Sequence, residues 1–255
     1  VENVVLSILA HPDDAEFLCA GAMIRLVQQH GWKAHIASMT PGDCGSAELP
    51  AEEISRIRRA EGTRAADMLG GSYSCLEEHD LLICYDDRSL EKVTRLLRQV
   101  RPRIVLTHSP ADYMVDHEMT STIVRAAVFA APIPNFLAER NLGPPLPQIP
   151  HLYYCDPIEG KDLMGQNIPP GFCIDISGVM EKKTAMLACH ASQRDWLLKH
   201  HGIDQYLQAQ RDWAIERGKS CGVAAAEGYR QHLGHSYPQG NLLGHILGIG
   251  DGFAF

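Results

Sequence analysis

Two short stretches carry the residue types that hold and use a metal ion. HPDD at 11–14 follows the apolar run VVLSILA and sets a histidine beside two aspartates. HSPADYMVDH at 108–117 closes the apolar run RIVLTHS and brings a second histidine-rich loop. His11, Asp14 and His117 together offer two imidazoles and one carboxylate. Three protein ligands with an open fourth position is the pattern of a catalytic zinc (Zn2+) site, whereas structural sites are closed by four. Pro12 stiffens the turn so that His11 and Asp14 converge, which leaves Asp13 to point past the ion toward a water. A carboxylate placed there is the general base that metal-assisted hydrolysis needs.

Plainer readings compete with this one. HPDD alone is an ordinary acidic turn with one proline. Asp116 before a helix serves as an N-cap, with His117 in its first turn. His108, at a strand end, reads as a hydrogen-bonded core histidine. Two histidines and a carboxylate also describe the facial triad of non-haem iron oxygenases. Those ligands usually sit on all-β barrels, and the elements around these loops are of another kind.

The first half of the chain alternates strand-like and helix-like pieces. After the strand at 4–10, Phe17, Ala20, Ile24 and Val27 share one helical face up to Gly31. KAHIASMT (33–40) is a second strand, and Ile54, Ile57, Ala65 and Met68 mark a helix stopped by Gly70 and Gly71. HDLLICY (79–85) is expected as a short strand, Leu90 to Val100 as a helix, and 103–109 as a strongly apolar strand. Such alternation implies βαβ units, right-handed crossovers and a Rossmann-like, mostly parallel sheet with helices on both faces. Ligands of such sheets bind beyond the carboxyl ends of the strands, where both loops fall.

The second half is looser. The proline-rich 131–150 is expected as a surface loop, HLYYC and GFCIDI as strands, and 178–218 as two helices broken near His200–Gly202. The apolar, glycine-spaced tail at 231–255 suggests a subunit interface, hence a homo-oligomer. No repeat or boundary divides residues 1–255, so one domain is expected.

Bulk composition narrows the partners. Among 255 residues, 45% are hydrophobic and the net charge is −8, ordinary for a globular protein and unsuited to nucleic acid. No stretch approaches the roughly 20 apolar residues of a membrane span, and no basic-then-apolar leader opens the chain. Eight cysteines form no C-x-x-C pair; several, including Cys84, Cys155 and Cys173, lie in apolar runs as free thiols do. That usage points to a reducing, cytoplasmic setting.

These segments resemble, in order, the LmbE-like (PIG-L) deacetylases, which remove acyl groups from N-acetylated amino sugars. AHPDDAE (10–16) is similar to the family's A-H-P-D-D-E, with Ala15 inserted before Glu16. SMTPGDCGS (38–46) resembles its T-x-G-x-x-G loop, and RRAEGTRAADMLG (58–70) its R-x-x-E helix. YDDRSL (85–90) resembles an aspartate loop that touches sugar hydroxyls, and DYMVDH (112–117) the D-x-H-P-D-H motif. KKTAMLACHASQ (182–193) and AAAEGYR (224–230) resemble the later K-x-x-A, H-x-S-Q and A-E-x-F segments.

The resemblance implies an LmbE-like fold, zinc on His11, Asp14 and His117, and Asp13 as general base. It makes Arg58 and Asp86 candidates for holding an N-acetylglucosamine conjugate, although Arg58 is equally suited to pair with Glu61. His190 is expected to order the surroundings of the site. One position departs from the pattern: Met114 stands where the family carries a histidine that assists proton transfer. Asp13 is then expected to shuttle the proton alone, with Tyr113, His108, His232 or His235 as sources of an electrophilic contact. Amidase action on a thiol or glycopeptide conjugate, and a sugar-binding role without turnover, stand as alternatives.

Overall fold

β1 (Val4–Leu9) is buried throughout and divides its side chains between two cores: Val5 and Leu9 face one, Leu6 and Ile8 the other. A strand buried on both faces belongs inside a parallel sheet. The computed structural model, which describes residues 2–194, 198 and 205–249, places it third in a sheet of seven strands. β1 runs parallel to β2 (Lys33–Ser38) on one side and β4 (Ile104–Thr107) on the other. Beyond these lie β3 (Ser72–Cys75) and β5 (His151–Cys155), both parallel, giving the order β3-β2-β1-β4-β5-β7-β6. β7 (Ala226–Gln231) is antiparallel to both β5 and β6 (Phe172–Asp175).

Helices cover both faces, as the alternation predicts. α1 (Asp14–Leu18), α2 (Ala20–His30) and α3 (Ala51–Leu69) pack on the Val5 and Leu9 side. α4 (Asp87–Val100) and α5 (Val115–Ala130) cover the Leu6 and Ile8 side. From the second half, α6 (Met180–Leu187), α7 (Tyr206–Cys221) and α8 (Leu242–Leu247) join the first group. No helix among the described residues is long and apolar enough to cross a membrane.

Four expectations change. The first helix is two, broken at Cys19, because α2 has an anchor of its own. The Glu227 carboxylate accepts from the backbone N–H groups of Gly21 and Ala22 at 2.7 and 2.8 Å. Lys183 and Tyr229 complete its shell at 2.5 and 2.6 Å. A Cβ at position 21 would stand 2.8 Å from that carboxylate, so only glycine fits.

HDLLICY is not a strand. β3 lies earlier, and 76–86 forms a loop over the sheet end in which Leu81 takes a left-handed φ of 67° that interrupts any extended run. The thiols are not all free: Cys173 on β6 is disulfide-bonded to Cys221 at the end of α7. Nor does the start of the tail need a second subunit. Leu243 and Leu247 of α8 are buried against α2, and Arg25 donates to the Leu247 carbonyl. The expected helix break near His200–Gly202 lies outside the described residues. The proline-rich stretch is irregular as expected, held by Arg98 donating to the carbonyls of Ala131, Ile133 and Gly143.

Candidate active site

β1 and β4 are neighbours whose chains cross away to opposite sides of the sheet, the position where open α/β sheets form ligand sites. His11 and Asp14 follow the end of β1, and His117 lies in the first turn of α5, which follows β4. Candidate ligand atoms of the three lie within 4.8 Å of one another. His11 Nδ1 is 3.3 Å from Asp14 Oδ2, and His117 Nε2 is 3.6 Å from Asp14 Oδ1. Tetrahedral bonds of 2.0–2.1 Å to zinc require donor atoms about 3.3–3.4 Å apart. The donor set and its spacing therefore fit a zinc ion.

Each ring is oriented from behind. Asp112 Oδ1 meets His117 Nδ1 at 2.9 Å, which turns Nε2 toward Asp14. Asp116 Oδ2 lies 3.3 Å from His11 Nε2 and is itself fixed by the Leu81 N–H at 2.7 Å. Carboxylates placed behind ligating histidines fix the ring and raise its basicity. Burial lowers the His11 pKa, but the hydrogen bonds with Asp116 and Asp14 outweigh it and raise the metal-free value to about 10. Burial raises Asp14, yet the His117 and His108 rings hold it well below the ordinary carboxylate range.

A second grouping, His108, Asp112 and His117, is also close enough to hold a metal. There His108 Nε2 accepts the Ala10 N–H at 3.0 Å, and its ring stacks on His117 with centroids 3.8 Å apart. Burial and the neighbouring His117 push His108 down to about 4. It is a neutral wall behind the site, as its core-histidine reading expects.

Asp13 lies beside the three ligands with both oxygens engaged. Arg58 on α3 donates to Oδ1 at 3.0 Å, and the Tyr206 hydroxyl on α7 donates to Oδ2 at 2.5 Å. Burial, then the Asp13 charge, pushes the Tyr206 phenol well above its ordinary range. Arg58 thus pairs with Asp13; Glu61 instead accepts from the Ser192 backbone and hydroxyl. The loop glycines make room for the guanidinium, since a Cβ at Gly42 or Gly45 would approach Arg58 Nη1 to 2.3 or 2.5 Å. His190 lies 3.3 Å from buried Glu16, one layer behind.

His11, Asp13, Asp14, Arg58, His117 and Tyr206 line a cavity of about 590 Å3. Tyr113 lines it, edge-on to His117, and Met114 lines it as well. Asp86 does not. It is exposed and caps α4, accepting the Ser89 N–H at 2.8 Å. Asp80 lines the cavity instead, with Oδ1 buried and free of any hydrogen bond. Reading 79–85 as a strand concealed Asp80, whereas Tyr206 stands in a helix with no local motif to mark it. His232 bonds the Tyr154 hydroxyl at 2.8 Å, and neither it nor His235 reaches the cavity.

Residues 6–128 match the family described as PIG-L, GlcNAc-PI de-N-acetylase. A 4-oxalmesaconate hydratase of Pseudomonas putida is 24% identical over 249 residues, 93% of this chain and 91% of that protein. A diacetylchitobiose deacetylase of Thermococcus kodakarensis is 29% identical over 238 residues, 89% of this chain and 82% of that protein. The solved N,N'-diacetylchitobiose deacetylase of Pyrococcus horikoshii superposes with a TM-score of 0.75 at 25% identity, covering 94% of this chain and 88% of that one.

Proposed function

Because the chain belongs to the PIG-L, LmbE-like family, we propose that it is a zinc-dependent hydrolase that releases acetate from an N-acetylated amino sugar. The observation that carries this reading is the donor triangle of His11, Asp14 and His117 with Asp13 beside it, all four lining one cavity. Zinc bound there supplies Lewis acidity and lowers the pKa of a bound water toward about 7. Asp13 takes the proton from the attacking water and returns it toward the leaving nitrogen. Arg58 and Tyr206 hold its two oxygens in place during that transfer. Asp80 Oδ1 offers an acceptor for a sugar hydroxyl.

Hydration of an unsaturated acid is the second reading. It is favoured by Met114, which withholds the family's second proton-transfer group, and by the hydratase relative. The charge of the cavity opposes it. Among the described residues lining it, Arg58 is the one Lys or Arg side chain, and Asp13 already takes it, while Asp14 and Asp80 add negative charge. Apart from a bound metal, a substrate bearing several carboxylates finds no free Lys or Arg partner there, whereas a neutral amide needs none.

The test is amine release from N-acetylglucosamine and its oligosaccharides by zinc-loaded protein, run beside loss of absorbance from an unsaturated tricarboxylate. Amine release with no hydration supports deacetylation. Hydration without amine release overturns it.

A further inference from the structure

A second cavity, of about 400 Å3, shares two walls with the first. One is the turn Ile158–Gly160 that follows β5: Ile158 lines the active cavity, while Glu159 and Gly160 line the second. The other is α7. Tyr206 and Ala209 line the active cavity, and Trp213, Glu216, Arg217 and Ser220 line the second, all on one stripe at helical spacing. The volume falls within the roughly 300–1,000 Å3 of small-molecule sites.

The walls are fitted closely. Gly160 has a left-handed φ of 62°, and a Cβ there would stand 2.8 Å from the Trp213 ring and 2.7 Å from Arg217 Nη2. Glu159 before it takes a left-handed φ of 59°, unfavourable outside glycine and kept only where the surroundings fix it. Trp213, Ile168 and Pro169 supply apolar surface, and Asn167 and Ser220 supply polar groups for hydroxyls.

Charge selects the ligand. Among the described residues lining this cavity, Arg217 is the one Lys or Arg side chain, and buried Asp156 already takes it at 2.7 Å from Nε. An anion therefore meets a guanidinium that is already neutralised. Glu159 and Glu216 pair with Lys161 at 3.1 Å and Lys219 at 2.8 Å. All four of those side chains are exposed, and exposed ion pairs contribute little, so an incoming cation can take the place of the lysines.

The reaction proposed above turns a neutral amide into a primary amine, which is an ammonium at neutral pH. The carboxylates of the second cavity therefore distinguish product from substrate. We infer that this cavity is a binding site for the amino-sugar product, with its ammonium at Glu159 and Glu216 and its ring beside Trp213. The identity of the ligand rests on the deacetylase reading, whereas its charge rests on the cavity alone.

The test is calorimetric titration of glucosamine and N-acetylglucosamine into zinc-loaded protein at neutral pH and low salt, with and without the paired substitutions Glu159→Gln and Glu216→Gln. N-acetylglucosamine is titrated in an Asp13→Asn background, which blocks turnover. Both glutamates are exposed, so the double variant is expected to keep the Tm of wild type. Glucosamine is expected to bind the double variant about tenfold more weakly, as loss of two exposed charge contacts gives. Binding of N-acetylglucosamine is expected to be unchanged by the same substitutions.

Glucosamine binding that is absent, or unchanged in the double variant, overturns the inference and leaves the deacetylase reading, which amine release tests separately, standing. An equal loss of N-acetylglucosamine binding also overturns it, because the glutamates would then not be reading charge. Glucosamine binding that depends on both glutamates, with no amine release from any N-acetylated sugar, supports the ammonium site and overturns the deacetylase reading.

Discussion

Tyr206 donates its phenolic hydrogen to Asp13 Oδ2 at 2.5 Å, joining residues 193 positions apart in the chain. Arg58 holds the other oxygen, so the two donors fix where the carboxylate points. Tyr206→Phe removes one donor and little volume. It is expected to lower kcat about 10–100-fold with zinc content unchanged, since a misplaced proton-transfer group costs on that order. Steady-state kinetics beside metal analysis check this. A kcat equal to wild type would show that Arg58 alone positions the base.

Asp13→Asn keeps the shape of the side chain and removes its basicity. Zinc stoichiometry should stay near wild type while amine release falls about 10²–10⁴-fold, the usual contribution of a general base. Full activity in a variant that still binds zinc would remove Asp13 from the mechanism.

His11 makes metal binding depend on pH. With its pKa raised from 6.5 to about 10, its ring is charged at neutral pH in metal-free protein. The stability it contributes there is complete below 6.5 and is lost as pH rises through about 10. A metal needs the neutral ring, so zinc affinity moves in the opposite direction. Apparent affinity should strengthen by up to about tenfold per pH unit above neutrality. Competition against a chelator of known protonation constants measures the slope, and a flat profile contradicts the assignment.

In the proposed site Asp112 acts on zinc through His117, at 2.9 Å from its Nδ1. Asp112→Ala is expected to weaken zinc binding about 10–100-fold, the usual cost of losing a carboxylate behind a ligating histidine. Dialysis against graded chelator concentrations reads this directly. Unchanged affinity would mean that the ring is held by packing alone.

Lys183 is 1% exposed and is the cationic partner of the Glu227 carboxylate. Lys183→Met strands that carboxylate and should cost about 3–5 kcal/mol in urea unfolding. Adding Glu227→Gln should recover part of the loss, because a neutral amide is cheaper to bury than an unpaired charge.

Four of the parallel strands, β1, β2, β4 and β5, and the convergence of the three candidate ligands were legible for one reason. Each lies in a local pattern, an apolar run followed at once by a polar loop, and such patterns survive without knowledge of tertiary contacts. Asp80 and Leu81 were hidden because HDLLICY carries the apolar content of a strand, whereas in the fold the carboxylates of Asp43 and Asp116 accept the Asp80 and Leu81 N–H groups. Asp86 looked like a substrate contact from its motif, but its side chain is used as a helix cap. Tyr206 had no local signature, since its meaning depends entirely on a distant aspartate. The disulfide was equally invisible, because Cys173 and Cys221 are 48 residues apart and neither sits in a paired motif.

The clamp at Glu227 also sets an order in time. His11 and Asp14 stand near the start of the chain, but the corner after their loop is pinned by Lys183 and Glu227, and Asp13 by Tyr206. A ribosome making this protein releases the candidate metal-binding side chains long before the residues that lock them. A nascent chain ending before Glu227 already carries every candidate ligand and lacks the anchor of α2. Among the described residues, the anchor of α2 is thus supplied by the last strand in chain order, β7.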